Sequence, residues 1–164
     1  MATLLELAEN DQLVKIEVEL DGAEQAWRTL YGTPEFVAWL NDTLPALETT
    51  IPGGDIEPDE QVDACFHEYV IGSDMDPDLR FKKLHRTPDL HIWEFKTLDV
   101  RIFGWVPEKD VFICCYGDTK DEIELKNAYG AYMARTHFIR TQLDLDEPKS
   151  IESYNYDDVL SDAN

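Results

Sequence analysis

Residues 12–20 alternate apolar and polar side chains, Val14, Ile16, Val18 and Leu20 facing one way and Lys15, Glu17 and Glu19 the other. That period of two predicts a half-buried strand. Asp21-Gly22 ends it, and 23–31 offers Ala26, Trp27 and Leu30 to a core as a short helix. A second helix follows: Thr33 suits the N-cap, Pro34 the first helical position, and Phe36, Val37, Leu40, Leu44 and Leu47 recur at helical spacing until Pro45 bends or stops it. Residues 52–63, with Pro52, Gly53, Gly54, Pro58 and a string of acids, read as an exposed loop; 61–71 fits a short strand and a short helix equally.

From residue 90 the period shortens to two again. His91–Phe95, Leu98–Val106 and Val111–Tyr116 predict three short strands, with turn chemistry in Pro107-Glu108-Lys109-Asp110. In the middle strand Leu98, Val100, Ile102, Gly104 and Val106 share one face, and Asp99, Arg101, Phe103 and Trp105 the other. Thr119-Lys120-Asp121-Glu122 forms a capping box. It opens a long helix to about 142 on the stripe Ile123, Leu125, Ala128, Tyr129, Tyr132, Met133, Ile139 and Leu143, with Gly130 its weak point.

The expected fold class is α+β: an antiparallel β-meander sheet with an N-terminal strand, helices packed on one face, and a long helix near the C-terminus. The expected organisation is one domain over 1–143 with an acidic insertion loop at 51–78, then a loosely attached acidic C-terminal tail over 144–164.

Composition narrows the function classes. A chain of 164 residues fits one domain, and 43% hydrophobic with 11% aromatic residues is too rich for disorder. No apolar run is long enough to span a bilayer and the N-terminus lacks the basic segment of a secretory signal, so a cytoplasmic protein with no membrane partner is expected. Cys114 and Cys115 sit in an apolar run with no basic neighbour in sequence and read as small buried hydrophobes. His67-Glu68 lacks the second histidine of a zinc helix, Asp74–Asp78 lacks the glycine and closing glutamate of a calcium loop, and neither a phosphate loop nor a nucleophile elbow occurs. No metal and no cofactor are therefore expected.

The net charge of −21 repels nucleic acid at long range unless positive charge is gathered on one surface. It also suits adaptation to a saline cytoplasm. Positive charge is in fact gathered, since four of the fourteen Lys and Arg residues lie within Arg80–Arg86. That cluster either meets a polyanion or neutralises acids of the chain itself such as Asp55, Glu57 and Asp59.

The run Lys82-Lys83-Leu84, Leu90-His91-Ile92-Trp93-Glu94-Phe95-Lys96, Val100-Arg101-Ile102-Phe103, Val111-Phe112-Ile113, Gly117 and Lys120 resembles the RelE/HigB-type toxin superfamily, best over residues 80–135. The resemblance implies the toxin of a toxin–antitoxin pair, a metal-independent endoribonuclease that cuts messenger RNA on the ribosome. Its partners would be an antitoxin protein, the ribosome and mRNA. The reaction is attack of a 2′-hydroxyl on the adjacent phosphate, which needs a base, cations around the phosphate, and an acid for the leaving oxygen. On this reading Lys82, Lys83, Arg86 and Arg101 hold phosphate, Lys120 adds charge at the mouth of the site, and His85, His91 and Tyr116 are the candidates for proton transfer.

Each of these residues also fits a structural role. Arg101 suits a side chain packed on Phe103 and Trp105, His85 and His91 suit partly buried polar positions, and Tyr116 suits packing at a strand end. Superfamily members that act on ribosomes are generally small and basic, whereas this chain carries acid in 51–78 and in its tail. The rival class is a non-enzymatic acidic binding protein, of phage or mobile-element origin, that mimics nucleic-acid charge and occupies a basic protein partner.

Overall fold

The computed structural model describes residues 1–84 and 89–163. The chain opens with α1 (Leu4–Glu9), capped by Thr3, whose Oγ1 accepts the Glu6 N–H at 3.2 Å. Two short strands follow, β1 (Val14–Lys15) and β2 (Thr29–Gly32), then α2 (Pro34–Ala38) and α3 (Pro58–Val70). Strands β3 (Phe81–Leu84), β4 (Ile92–Lys96), β5 (Val100–Trp105) and β6 (Val111–Thr119) lead into α4 (Lys120–Lys126), α5 (Tyr129–Gln142) and the short α6 (Tyr156–Val159).

The strands form one six-stranded sheet in the order β1-β2-β6-β5-β4-β3. Strands β4 to β6 are an antiparallel meander with Arg101 on β5, as the period-two pattern predicts, and β3, which that pattern does not predict, extends it at the β4 edge. The sheet is mixed rather than wholly antiparallel, because β2 pairs parallel to β6. Thr29–Gly32 is therefore strand where a helix over 23–31 was expected: Leu30 and Tyr31 are buried in the sheet, and pairing across it overrides their local helical spacing. Of the expected strand 12–20 only Val14–Lys15 pairs, although Ile16, Val18 and Leu20 still pack against the core.

Helices cover both faces of the sheet, not one. Val100 and Ile102 of β5 pack with Phe66 and Val62 of α3, whereas Phe103 on the opposite face packs with Met133 of α5. The acidic stretch expected as a loop over 51–78 contains α3, with Pro58 at its first position and Asp59 and Glu60 in the first turn, where the helix dipole favours acids. Val62, Cys65, Phe66, Tyr69 and Val70 recur at helical spacing and are buried beneath those acids.

The single long helix expected over 119–142 is two. Thr119 caps the first as the capping box predicts, its Oγ1 accepting the Glu122 N–H at 3.1 Å, but Asn127 adopts a left-handed backbone (φ 50°) and ends it. Residues 144–163 are not a loose tail. Leu145 bridges to Ala2, the Ile151 N–H donates to the Val106 carbonyl, and Val159 and Leu160 are buried in the main core. Among the described residues no helix is long and apolar enough to cross a membrane.

One irregularity bends the sheet beside the site described next. The β5–β6 register shifts between Phe103 and Gly104, leaving Cys115 as the extra residue of a bulge. A side chain at Gly104 would put its first carbon 2.0 Å from the Ile113 carbonyl oxygen, so the close approach of the two strands requires glycine there.

Candidate anion-binding cleft

Strand register assembles the site. Lys82 stands opposite Glu94, and Lys96 opposite Arg101. Alternation along each strand places all four on the face that carries Phe103. Helix α5 covers the Trp105 end of this face, and at the other end Lys120 and Glu124 of α4, Tyr129 of α5, and Asp78 and Lys83 close the rim of a cleft of about 530 Å³.

The charges are of one dominant sign. Among the described residues no acid comes within ion-pair distance of Lys82, Lys83, Lys96 or Arg101, and Lys120 reaches Glu124 only at 4.0 Å. Of the basic cluster, Arg80 pairs with Glu68 of α3, whereas among the described residues Asp55, Glu57 and Asp59 form no ion pair with Lys82 or Lys83; Glu57 instead caps α3. At the cleft floor Glu94 is 2% exposed, and burial raises its carboxyl above the ordinary range against the opposing pull of Arg101, Lys96 and Lys82. Burial also lowers the Lys96 ammonium, and the nearby Arg101 and Lys82 act in the same direction.

Arg101 is nearly buried and does not simply lie on its aromatic neighbours. Its Nη1 donates to the carbonyls of Thr97 at 2.6 Å and Val100 at 3.0 Å, holding the β4–β5 turn. Its Nε and the Oε2 of Glu94 are both buried without a hydrogen-bond partner. Two such atoms in one cleft call for a cause, because buried polar groups in folded proteins are nearly always paired. Tyr129 lines the cleft beside the two side chains, and burial, with Glu94 beside it, raises the pKa of its hydroxyl.

The other candidates fall elsewhere. His91 has a left-handed backbone (φ 52°), its ring stacks on Tyr154 at 4.7 Å, and it lines a separate depression with His137 and Arg140. Tyr116 lies under the Arg135 guanidinium at 4.5 Å and lines a third depression with Thr33 and Phe138. Neither lines the cleft. His85 and Arg86 lie outside the described residues. Lys82, Lys83, Arg101 and Lys120 do come together. Glu94, Lys96 and Tyr129 were not singled out by sequence reasoning, although Glu94 and Lys96 share the parity in β4 that faces Arg101 across the ladder.

Elsewhere, Asp99 is held by Thr49, Thr50 and Gln61. Burial pushes the Cys65 thiol up to about 12 and raises Cys114 and Cys115 well above the ordinary thiol range. Among the described residues no group of three or more His, Cys, Asp or Glu side chains is placed to hold a metal ion. A scan against protein-family models finds no match, and searches of curated proteins and of solved structures find no significant match.

Proposed function

We propose that the cleft binds the phosphodiester backbone of RNA and cleaves it by 2′-hydroxyl attack, in the manner of a RelE/HigB-type toxin acting on ribosome-bound messenger RNA. The observation that carries this reading is the convergence of Lys82, Lys96 and Arg101, none of them in an ion pair among the described residues, around the buried carboxyl of Glu94. Cations in that arrangement hold a phosphate and stabilise the extra negative charge of its transition state. A titratable carboxyl at the floor gives the site acid–base capacity.

The overall charge of −21 shapes how such a cleft would work. Long-range repulsion slows encounter with free RNA, so binding depends on short-range contacts and on a target presented at high local concentration, as on the ribosome. An antitoxin that covers the cleft with its own acids would silence it.

The test is incubation of the full-length protein with ribosomes programmed with a defined messenger RNA, followed by mapping of the ends. Cleavage leaving a 5′-hydroxyl is expected, and the Lys82→Ala/Lys96→Ala double variant should lose about a hundredfold in rate. The reading is overturned if wild-type protein is harmless on expression, leaves ribosome-bound RNA uncut, and binds a basic protein through its acidic surface. That outcome supports charge mimicry instead.

A further inference from the structure

We propose that Tyr129 is the catalytic group that touches the attacking 2′-hydroxyl, that Glu94 receives the proton through it, and that Lys96 protonates the leaving oxygen. This rests on the RNA-cleaving reading above and gives it the proton-transfer residues that neither His91 nor Tyr116 supplies at the cleft.

The geometry is specific. Tyr129 begins α5 at the cleft wall, half-buried, and lines the cleft together with Glu94 and Arg101, whose charges act on its hydroxyl. Glu94 is closed off from solvent and its Oε2 has no partner. A carboxylate in that position exchanges protons only through a group touching it, and Tyr129 connects it to the cleft. Lys96 stands two residues further on the same face of β4, opposite Arg101. Two residues of a strand span about 7 Å, which leaves room for one phosphate between base and acid.

The step balances. The 2′-oxygen gives its proton to the Tyr129 oxygen as the tyrosine's own proton passes to Glu94. The 2′-O–P bond forms, the P–O5′ bond breaks, and the Lys96 ammonium protonates the 5′-oxygen. The products are a 2′,3′-cyclic phosphate and a 5′-hydroxyl, with Glu94 protonated and Lys96 neutral until solvent restores both. The groups facing Glu94 are Lys82 from β3, Lys96 from β4, Arg101 from β5 and Tyr129 from α5, with Lys120 and Glu124 of α4 at the rim. Burial brings Glu94 up and Lys96 down, making each better suited to its task near neutral pH.

Full-length wild-type, Tyr129→Phe and Glu94→Gln proteins are compared in single-turnover cleavage of ribosome-bound messenger RNA from about pH 5 to 9, and in binding to a 2′-deoxy oligonucleotide that cannot be cut. Both variants should lose about a hundredfold in rate and keep oligonucleotide binding, and Glu94→Gln should lose the acidic limb of the profile. Either variant cutting at the wild-type rate with the wild-type profile overturns the proposal. If wild-type protein cuts nothing, the functional reading fails separately, and the relay is judged by carboxyl carbon NMR. Glu94 should then titrate above an ordinary glutamate and move higher still in Tyr129→Phe; an ordinary midpoint unmoved by that change overturns it.

Discussion

The guanidinium of Arg28, wholly buried, donates to the carboxylate of Asp162 at 2.6 Å. The same side chain donates to the carbonyls of Tyr69, Ser73 and Ser161, and Asp110 lies 3.7 Å away. One cation thus ties the entry to β2, the end of α3 and the C-terminal strap together.

Truncation after Leu160 is expected to destabilise the protein by about 3 kcal/mol, because the buried Arg28 loses Asp162 and both hydrogen bonds to the Ser161 carbonyl and keeps Asp110 at 3.7 Å as its counter-ion. Chemical denaturation of the full-length and shortened chains measures it. An unchanged midpoint would show that Ser161 and Asp162 contribute nothing to stability.

Glu94→Gln should raise stability at neutral pH, by on the order of 1 kcal/mol. A carboxyl whose folded pKa is raised favours folding as pH falls, with its full contribution reached below the unfolded value. Above the folded pKa the buried charge is a cost, and glutamine removes it. The gain in melting temperature should therefore shrink as pH drops toward about 4.5 and vanish below it. A pH-independent difference would contradict the burial of a charge at this position.

Gly104→Ala should cost about 3 kcal/mol or more, since the Ile113 carbonyl oxygen and the Phe112 ring occupy the space of the added methyl and the strands must part. Gly130→Ala, which meets nothing within 4 Å on α5, should be neutral or stabilising. Thermal melts of the pair check both directions, and equal effects would refute the assigned bulge geometry.

A thiol-exchange reagent at pH 8 should leave Cys65, Cys114 and Cys115 unmodified in the native protein and label all three after unfolding. All are buried and their thiols are pushed up by that burial. Rapid labelling of any one in the folded state would mean local opening of its strand or helix.

The meander was legible because its information is local: alternation within each strand and turn residues between them. Strand β2 was not, since Ala26, Trp27 and Leu30 fit a helix and only the distant pairing with Val111–Cys114 makes the segment a strand. In α3 the acids and prolines match loop composition, although Pro58 starts the helix and the buried stripe runs beneath the charge. The site divides the same way. Lys82, Lys83, Arg101 and Lys120 were found as charges out of keeping with an acidic chain. Glu94 and Lys96 depend on which residue stands opposite Arg101, Tyr129 on where α5 begins after the break at Asn127, and sequence spacing encodes neither directly.

The Arg28 clamp also bears on how the chain is made. The Ser161 carbonyl that receives its guanidinium lies 133 positions downstream, and β2 itself must wait for β6. During synthesis β2 therefore has no native neighbour until β6 emerges, and a chain halted before residue 161 still holds Arg28 without Ser161 and Asp162. Such incomplete chains should be poor competitors against proteolysis, so that only polypeptides extended through the strap accumulate.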